Sequence, residues 1–552
     1  MGPLTTEARE TSRVLVLGGG YVALTLTKGL NREIKRDALH ATVVSRDNYH
    51  VYHGLIGEML TGRIAPGNVL SPARRIFGRA SVHVAEVEMI DLERRIVLTS
   101  RHLDGARLEL AYDHLVLCLG SSENFAAYPG LSEHAFKLKT FADCFRLRNH
   151  ILTMFELADI EPDVEERRRL LTFFVAGGGY AGTEVAGELA HFASLLTERE
   201  FRGIRREECR VVLVHRGPTI LPELYGSVAT GKGHASLVRY AERHLEQLGV
   251  ELMTETGVEA ATPGEVRLSD GRHVPTRTII SAVGTKPASI LDALDLPRDE
   301  RGRIRTDQHC RVEGRSDVWA GGDCAAVPHP DGGSCPPVFL YAEQHGRLIA
   351  KNIGRTLETK PLRRFGYRSF GQGVSIGRRT VVGELKGIEL KGHSAWLLWR
   401  VLALRFTPSW DRRLRLVADW LVWPLVGRDI VEMDHGEAGD YDVRHAVFQT
   451  GEVIVDREHP VRYVHVIVDG DVEVIRRREG EEEVVRIVTA GGHVGRKWLE
   501  RSGVDAARAR GPVRTLAIRA EQANRLQDVL LSAERIVAKT GAYPTLGQAP
   551  EP

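Results

Sequence analysis

Apolar residues take three textures along the chain. In the first, short unbroken runs end in glycine: "RVLVLG" closes at Gly18 and "LTFFVAG" at Gly177, and a stretch with small residues on one helical side follows each. A buried strand running through a tight turn into a helix is the predicted element. In the second, Trp410, Leu414, Val417, Leu421 and Leu425 recur at helical spacing with Asp411, Arg412, Arg413, Arg415 and Asp419 among them. An amphipathic helix is predicted there, and the pattern fits a membrane surface, a buried helix or a dimer interface. In the third, after residue 445, apolar and polar residues alternate over short runs broken by Gly-Asp and Gly-Glu, the pattern of an antiparallel β-roll or jelly roll.

Composition narrows the classes. A chain of 552 residues is too long for one core, so several domains are expected. The formal charge of +2 gives no overall pull toward nucleic acid, and none is expected as a partner. The 6 cysteines include no Cys-x2-Cys pair, which argues against a structural metal site and for a reducing compartment. The opening "MGPLTTEARETSR" has no apolar core, and the longest apolar run, "LVADWLVWPLVG", contains Asp419 and is too short to span a bilayer.

The two glycine turns carry the candidate chemistry. "LVLGGGYVALTL" and "VAGGGYAGTEVAGEL" place the same Gly-Gly-Gly-Tyr between a strand and a helix. In that setting Gly18 and Gly177 permit the tight turn, and Gly20 and Gly179 let the backbone approach a pyrophosphate. Ala23 and Gly182 let helix and strand pack closely. Phosphates then meet free N–H groups at a helix N-terminus, which brings in Gly19, Tyr21, Val22, Tyr180 and Ala181. Two such turns in one chain imply two dinucleotides, a flavin and a nicotinamide, with hydride passing between stacked rings. In "SDVWAGGDCAAVP", a strand ending at Gly322, Asp323 is placed to hydrogen-bond a flavin's ribityl chain.

These segments resemble the two-dinucleotide flavoprotein superfamily, in which a nicotinamide domain is inserted into an FAD domain. "DHLVLCLGSSEN" and "TIISAVGTKP" are similar to its crossover segments. The resemblance implies an α/β fold with two Rossmann-like domains, for FAD and NAD(P), followed by membrane-associating helices and the β-roll. The expected boundaries are 12–165 and 286–364 for the FAD domain, 166–285 for the NAD(P)H domain and 365–433 for the membrane-associating region. A linker at 434–444 and the β-roll at 445–535 complete the chain. Arg46, Val87, Gly120 and Gly284 join the expected cofactor-binding set.

Within the superfamily, "DNYHVYHGLIGEMLTGRIAPGNVLSPARRI" and "GHSAWLLWRVLALRF" are similar to segments of type II NADH dehydrogenases, over roughly residues 12–433. That resemblance implies hydride transfer from NADH or NADPH to FAD, then electron transfer to a membrane quinone without proton pumping. It also implies a homodimer, peripheral on the cytoplasmic side of the cell membrane. Glu184 matches a family position near the nicotinamide and quinone, and Gln344 one flanking the flavin; Glu188, one turn on, is expected on a solvated face. Trp396, Trp399, Trp420 and Trp423 are expected at the headgroup layer.

Several positions depart from the pattern. Ser45 stands where an acidic residue usually binds the flavin ribose, and His215 and Arg216 stand where a nicotinamide ribose is usually held by Glu. Cations there can pair with a 2′-phosphate, so NADPH is expected to serve at least as well as NADH. Leu340, His345 and Phe370 replace other family residues, which opens the identity of the acceptor. Sulfide:quinone or other pyridine-nucleotide flavin reductases are alternatives, with Cys144, Cys324 and Cys335 as the sulfur carriers. A redox-sensing regulator relaying flavin state to the β-roll is another. The β-roll itself resembles a cyclic-nucleotide-binding domain, but Arg496 replaces its ribose-binding Glu and Asp505 falls near its phosphate-binding Arg, with Arg508 as a substitute. An Arg cannot accept a hydrogen bond from a ribose hydroxyl, so a non-binding domain is expected.

Overall fold

The computed structural model describes residues 11–101, 106–225, 233–262, 264–432, 443–457, 463–478, 481–495, 498–499 and 502–519. Two five-stranded sheets organise the first three-fifths of the chain. The first runs Val318–Ala320, His114–Leu117, Ser12–Leu17, Leu39–Ser45, Ser81–Val84 in spatial order, all parallel. The second runs Ala135–Phe136, Thr278–Ser281, Thr172–Ala176, Arg210–Val214, Val250–Met253, again all parallel. The strands that open each glycine turn are central, and Val14–Leu17 of the first and all of Thr172–Ala176 are buried, as parallel strands covered on both faces must be. The expected break between residues 165 and 166 cuts across the second sheet, which reaches back to Ala135–Phe136 for its edge.

Chain crosses between the sheets on one antiparallel pair, Ser121–Glu123 against Thr285–Pro287, with Ser122 opposite Lys286. A meander of Glu86–Asp91, Ile96–Ser100 and Arg107–Ala111 is inserted in the first unit. The helix after the first turn, Tyr21–Lys35, lies along the helix Phe339–Leu357. Gly346 makes that approach possible, because a Cβ there would collide with the Val22 carbonyl and the Thr25 hydroxyl.

A three-stranded sheet (Gly371–Ser375, Val381–Leu385, Ile388–Lys391) leads into the helices Gly392–Phe406 and Trp410–Val426. Ala403 and Leu416, both fully buried, fix these helices to the core of the second unit. Among the described residues no helix is long and apolar enough to cross a membrane.

The final domain is two four-stranded antiparallel sheets face to face, as the alternating pattern requires. One contains Val443–Phe448, Val513–Arg519, Tyr463–Asp469 and His493–Val494. The other contains Val453–Asp456, Ala506–Ala509, Val472–Arg478 and Glu481–Val488. The part of the expected β-roll beyond residue 519 lies outside the described residues, as does Arg496.

Candidate functional site: two glycine turns and a buried charge cluster

The two turns are built alike. Gly18 and Gly177 have φ of +111° and +108°, a region that L side chains rarely enter, and a Cβ on either would strike the carbonyl of Cys118 or Ala282. Gly182 is fixed by a different constraint, since its Cβ would collide with the Gly177 carbonyl. Ala23 is fully buried at the equivalent position. Nothing lies within 4 Å of a Cβ built on Gly20, Gly120 or Gly284, so backbone at these points faces open space. Asp323 sits at the C-terminal end of the first sheet, where Ser121 Oγ donates to it at 2.9 Å and Lys139 Nζ lies 3.4 Å away. Ser45 is buried against Gly19, Val87 is buried in the meander, and Arg46 follows the second strand.

Two buried histidines hold the turns of this first unit. His50 contacts the Gly19 carbonyl through Nδ1 at 3.2 Å and stands edge-on to Tyr21. His345 accepts the Gly322 N–H through Nδ1 at 3.2 Å, which makes Nε2 the protonated nitrogen. Burial lowers their pKa to about 4 and about 3, so both rings are neutral. His345 is therefore a support for the Gly322–Asp323 turn, while its neighbour Gln344 is partly exposed on the same helix.

The nicotinamide-side turn corrects one expectation. His215 Nδ1 accepts the Gly178 N–H at 3.2 Å, and burial lowers its pKa, so it is a neutral structural partner. Only Arg216 brings charge; its guanidinium lies 5.6 Å over the Tyr128 ring. A residue that sequence reasoning missed stands beside it. The Glu223 carboxylate lies against Gly179 and is held by the backbone N–H groups of Glu223 and Tyr180, occupying the helix start where a pyrophosphate would bind. Tyr180 itself donates to Gln372 Oε1 at 3.0 Å, and Ala181 next to it is exposed.

Glu184 and Glu188 open a second layer. Glu184 is partly exposed, and burial, reinforced by Glu188 and Glu58, raises its pKa well above the usual carboxylate range. Glu188 is only 1% exposed, not on a solvated face. Burial alone would raise its pKa, but Arg63, at 3.5 Å, with Arg428, His191 and Arg400 lowers it instead. Beside them Arg400 Nη2 donates to both oxygens of Glu58 at 3.2 and 3.1 Å, and its guanidinium is sandwiched between Trp396 and Trp420, each 4.1 Å from centroid. Trp420 Nε1 also donates to Glu58 at 3.2 Å. The sequence signal for this cluster was a carboxylate inside "GLIGEML" and an arginine inside "AWLLWRVLAL".

The same contacts revise the tryptophan expectation. Trp396 and Trp420 turn inward onto Arg400, so they are not headgroup anchors. Asp419 also faces inward, accepting from Ala65 N at 3.1 Å and Asn68 Nδ2 at 2.8 Å. Outward lie Trp410 at 72% exposure, Leu414 at 62%, Leu421 at 68% and Leu425 at 86%. This helix turns Leu416, Asp419 and Trp420 into protein and Trp410, Leu414, Leu421 and Leu425 into solvent.

Residues 12–346 match the family model described as pyridine nucleotide-disulphide oxidoreductase. The chain belongs to that family. The oxidoreductase is 28% identical over 434 residues to the type II NADH:quinone oxidoreductase Ndh of Mycobacterium tuberculosis, covering 76% of this chain and 89% of that protein. It is 28% identical over 461 residues to the internal alternative NAD(P)H-ubiquinone oxidoreductase A1, mitochondrial, of Arabidopsis thaliana, covering 78% and 87%. Its fold is similar to NDH2 from Plasmodium falciparum in complex with NADH, at TM-score 0.69 and 16% identity over 76% of this chain and all of that one. Residues 446–528 match the cyclic nucleotide-binding domain model. All 6 cysteines of the oxidoreductase are free and buried. Burial pushes the thiols of Cys209, Cys324 and Cys335 up to about 12 and raises Cys118, Cys144 and Cys310 as well. Thiols so disposed are poor nucleophiles.

Proposed function

We propose that this oxidoreductase is an FAD-dependent NAD(P)H:quinone oxidoreductase of the type II kind, working as a peripheral enzyme on the cytoplasmic face of the cell membrane. The observation that carries the reading is the pair of equivalent glycine turns on two parallel sheets joined by an antiparallel crossover. FAD fits the first unit: Gly20 and Gly120 leave backbone open to a ligand, and Asp323 presents a carboxylate fixed by Ser121 and Lys139. Bound there, FAD supplies the two-electron chemistry between the nicotinamide and the quinone.

The chain's own residues position and exclude. Gly18, Gly19, Gly20, Tyr21, Val22 and Ala23 would hold the flavin pyrophosphate, with Ser45 and Arg46 at its ribose. Val87, Gly120, Gly322 and Asp323 would line the rest of that site. Gly177, Gly179, Tyr180, Ala181, Gly182 and Gly284 would receive NAD(P)H, with Arg216 at the ribose 2′ position. Burial raises the Glu184 pKa well above the usual carboxylate range, which favours a carboxyl that can donate a hydrogen bond to a quinone oxygen and pass a proton to the reduced quinone as the quinol forms. Gln344 offers a neutral donor and acceptor without adding charge near the flavin. The outward apolar residues of Trp410–Val426 suit immersion in the headgroup layer, where a lipid-soluble quinone is met. The raised thiols speak against the sulfide-oxidising reading.

Anaerobic turnover of FAD-loaded protein with NADH and a short-chain quinone tests this. One quinol should form per NADH consumed; NADH oxidation with no quinol formed would reject quinone as the acceptor.

A further inference from the structure

A pocket of about 380 Å³ lies beyond the first glycine turn, between the helices Tyr21–Lys35 and Phe339–Leu357 and the junction of the two C-terminal helices. Lys28, Arg347, Arg405 and Arg413 line it against a single carboxylate, Glu343, with Phe406 completing the wall. Arg347 pairs with Glu343 at 3.3 Å, and Arg413 Nε donates to the Thr407 carbonyl at 2.8 Å, which holds its guanidinium in place. Lys28 and Arg405 have no ion pair among the described residues, so the pocket has an unbalanced positive field. Lys28 registers it: burial lowers its pKa, Glu343 opposes, and Arg413, Arg347 and Arg405 lower it further.

The surroundings decide what kind of anion fits. Arg405 lies one turn from Val401, which is 63% exposed, and Arg413 is flanked by Trp410 at 72% and Leu414 at 62%. A cationic pocket bordered by exposed apolar residues matches an anion that carries hydrocarbon. We infer that this pocket binds the phosphate of an anionic glycerophospholipid headgroup, its acyl chains lying along the exposed aliphatic residues of the two C-terminal helices. This rests on the membrane-surface reading above. The lipid would fix which face of the enzyme meets the bilayer, and so where the quinone enters.

The test uses the full FAD-loaded chain with vesicles of phosphatidylcholine alone or containing phosphatidylglycerol. The Lys28→Gln/Arg405→Gln variant removes the two unpaired cations, and Arg202→Gln/Arg301→Gln removes two exposed cations elsewhere. The parent should prefer phosphatidylglycerol vesicles, and the pocket variant should lose roughly 30-fold of that affinity, about fivefold per cation. The distant pair should lose much less. Equal losses for both variants would mean a diffuse charge effect and overturn the pocket. So would parent-like binding by Lys28→Gln/Arg405→Gln. Inorganic phosphate that protects the parent but not the pocket variant against heat, with vesicle preference the same in both, would assign the site to free phosphate instead. If the parent binds neither vesicle, the membrane reading fails; if it binds both equally, only the lipid site fails.

Discussion

Arg400→Met should expose how the C-terminal helices are held. The Glu58 side chain is 4% exposed and that of Arg400 10%, and they meet at 3.1 Å between two indole rings. Removing one member of a buried pair typically costs about 3–5 kcal/mol, because the remaining charge is stranded. Arg63, 3.8 Å from Glu58, and the Trp420 N–H remain, so the lower end, about 3 kcal/mol, is expected. The pair itself is poorly satisfied: Arg400 Nε and Nη1 are buried without partners, and burial outweighs Glu58 to lower the Arg400 pKa to about 10. Replacing both residues, Glu58→Met with Arg400→Met, should therefore restore stability to within about 1 kcal/mol of the parent. Release of FAD on denaturant unfolding reads the reductase body separately from the β-roll. A single variant within 1 kcal/mol of the parent, or a double variant no better than the single, would refute the reasoning.

Other consequences follow from the nicotinamide side and the β-roll. Arg216→Ala should raise KM for NADPH about tenfold while leaving NADH nearly unchanged, since one charge-assisted contact to the 2′-phosphate is lost; equal changes for both would remove Arg216 from that role. Glu223→Gln should tighten NAD(P)H binding, by about tenfold, because a carboxylate no longer occupies the pyrophosphate position. Burial raises the Glu223 pKa, so parental binding should weaken as pH rises and the group ionises, and that dependence should flatten in the Gln variant. In the β-roll, Arg508 donates to Glu482 at 3.0 Å and Glu473 at 3.3 Å, and Asp505 accepts the Arg477 N–H at 2.7 Å. Neither is free to hold a cyclic phosphate, so calorimetry with cyclic AMP should find no binding tighter than about 1 mM.

The parts of the site that were legible in the sequence are those whose cause is local. A strand, a positive-φ glycine and a helix start lie within ten residues, so both turns, the Gly322–Asp323 turn and the β-roll pattern could be read directly. Glu58 and Arg400 are 342 positions apart, and no periodicity joins them. Spacing also showed that Trp410–Val426 has two faces without showing which one meets protein. Packing of Leu416, Asp419 and Trp420 settles that, and it turns two of the four tryptophans from expected anchors into partners of a buried cation. His215 was read as a cation from its position in the motif. The Gly178 N–H it accepts and its burial, both set by folding, make it neutral.

The central claim is that the two turns work together, one for a flavin and one for its reductant. Anaerobic stopped-flow of the FAD-loaded protein measures this most directly: the flavin absorbance should bleach rapidly on mixing with NADH or NADPH and recover when a quinone is added. Failure of both nucleotides to bleach it would contradict the account, leaving the second glycine turn as scaffold.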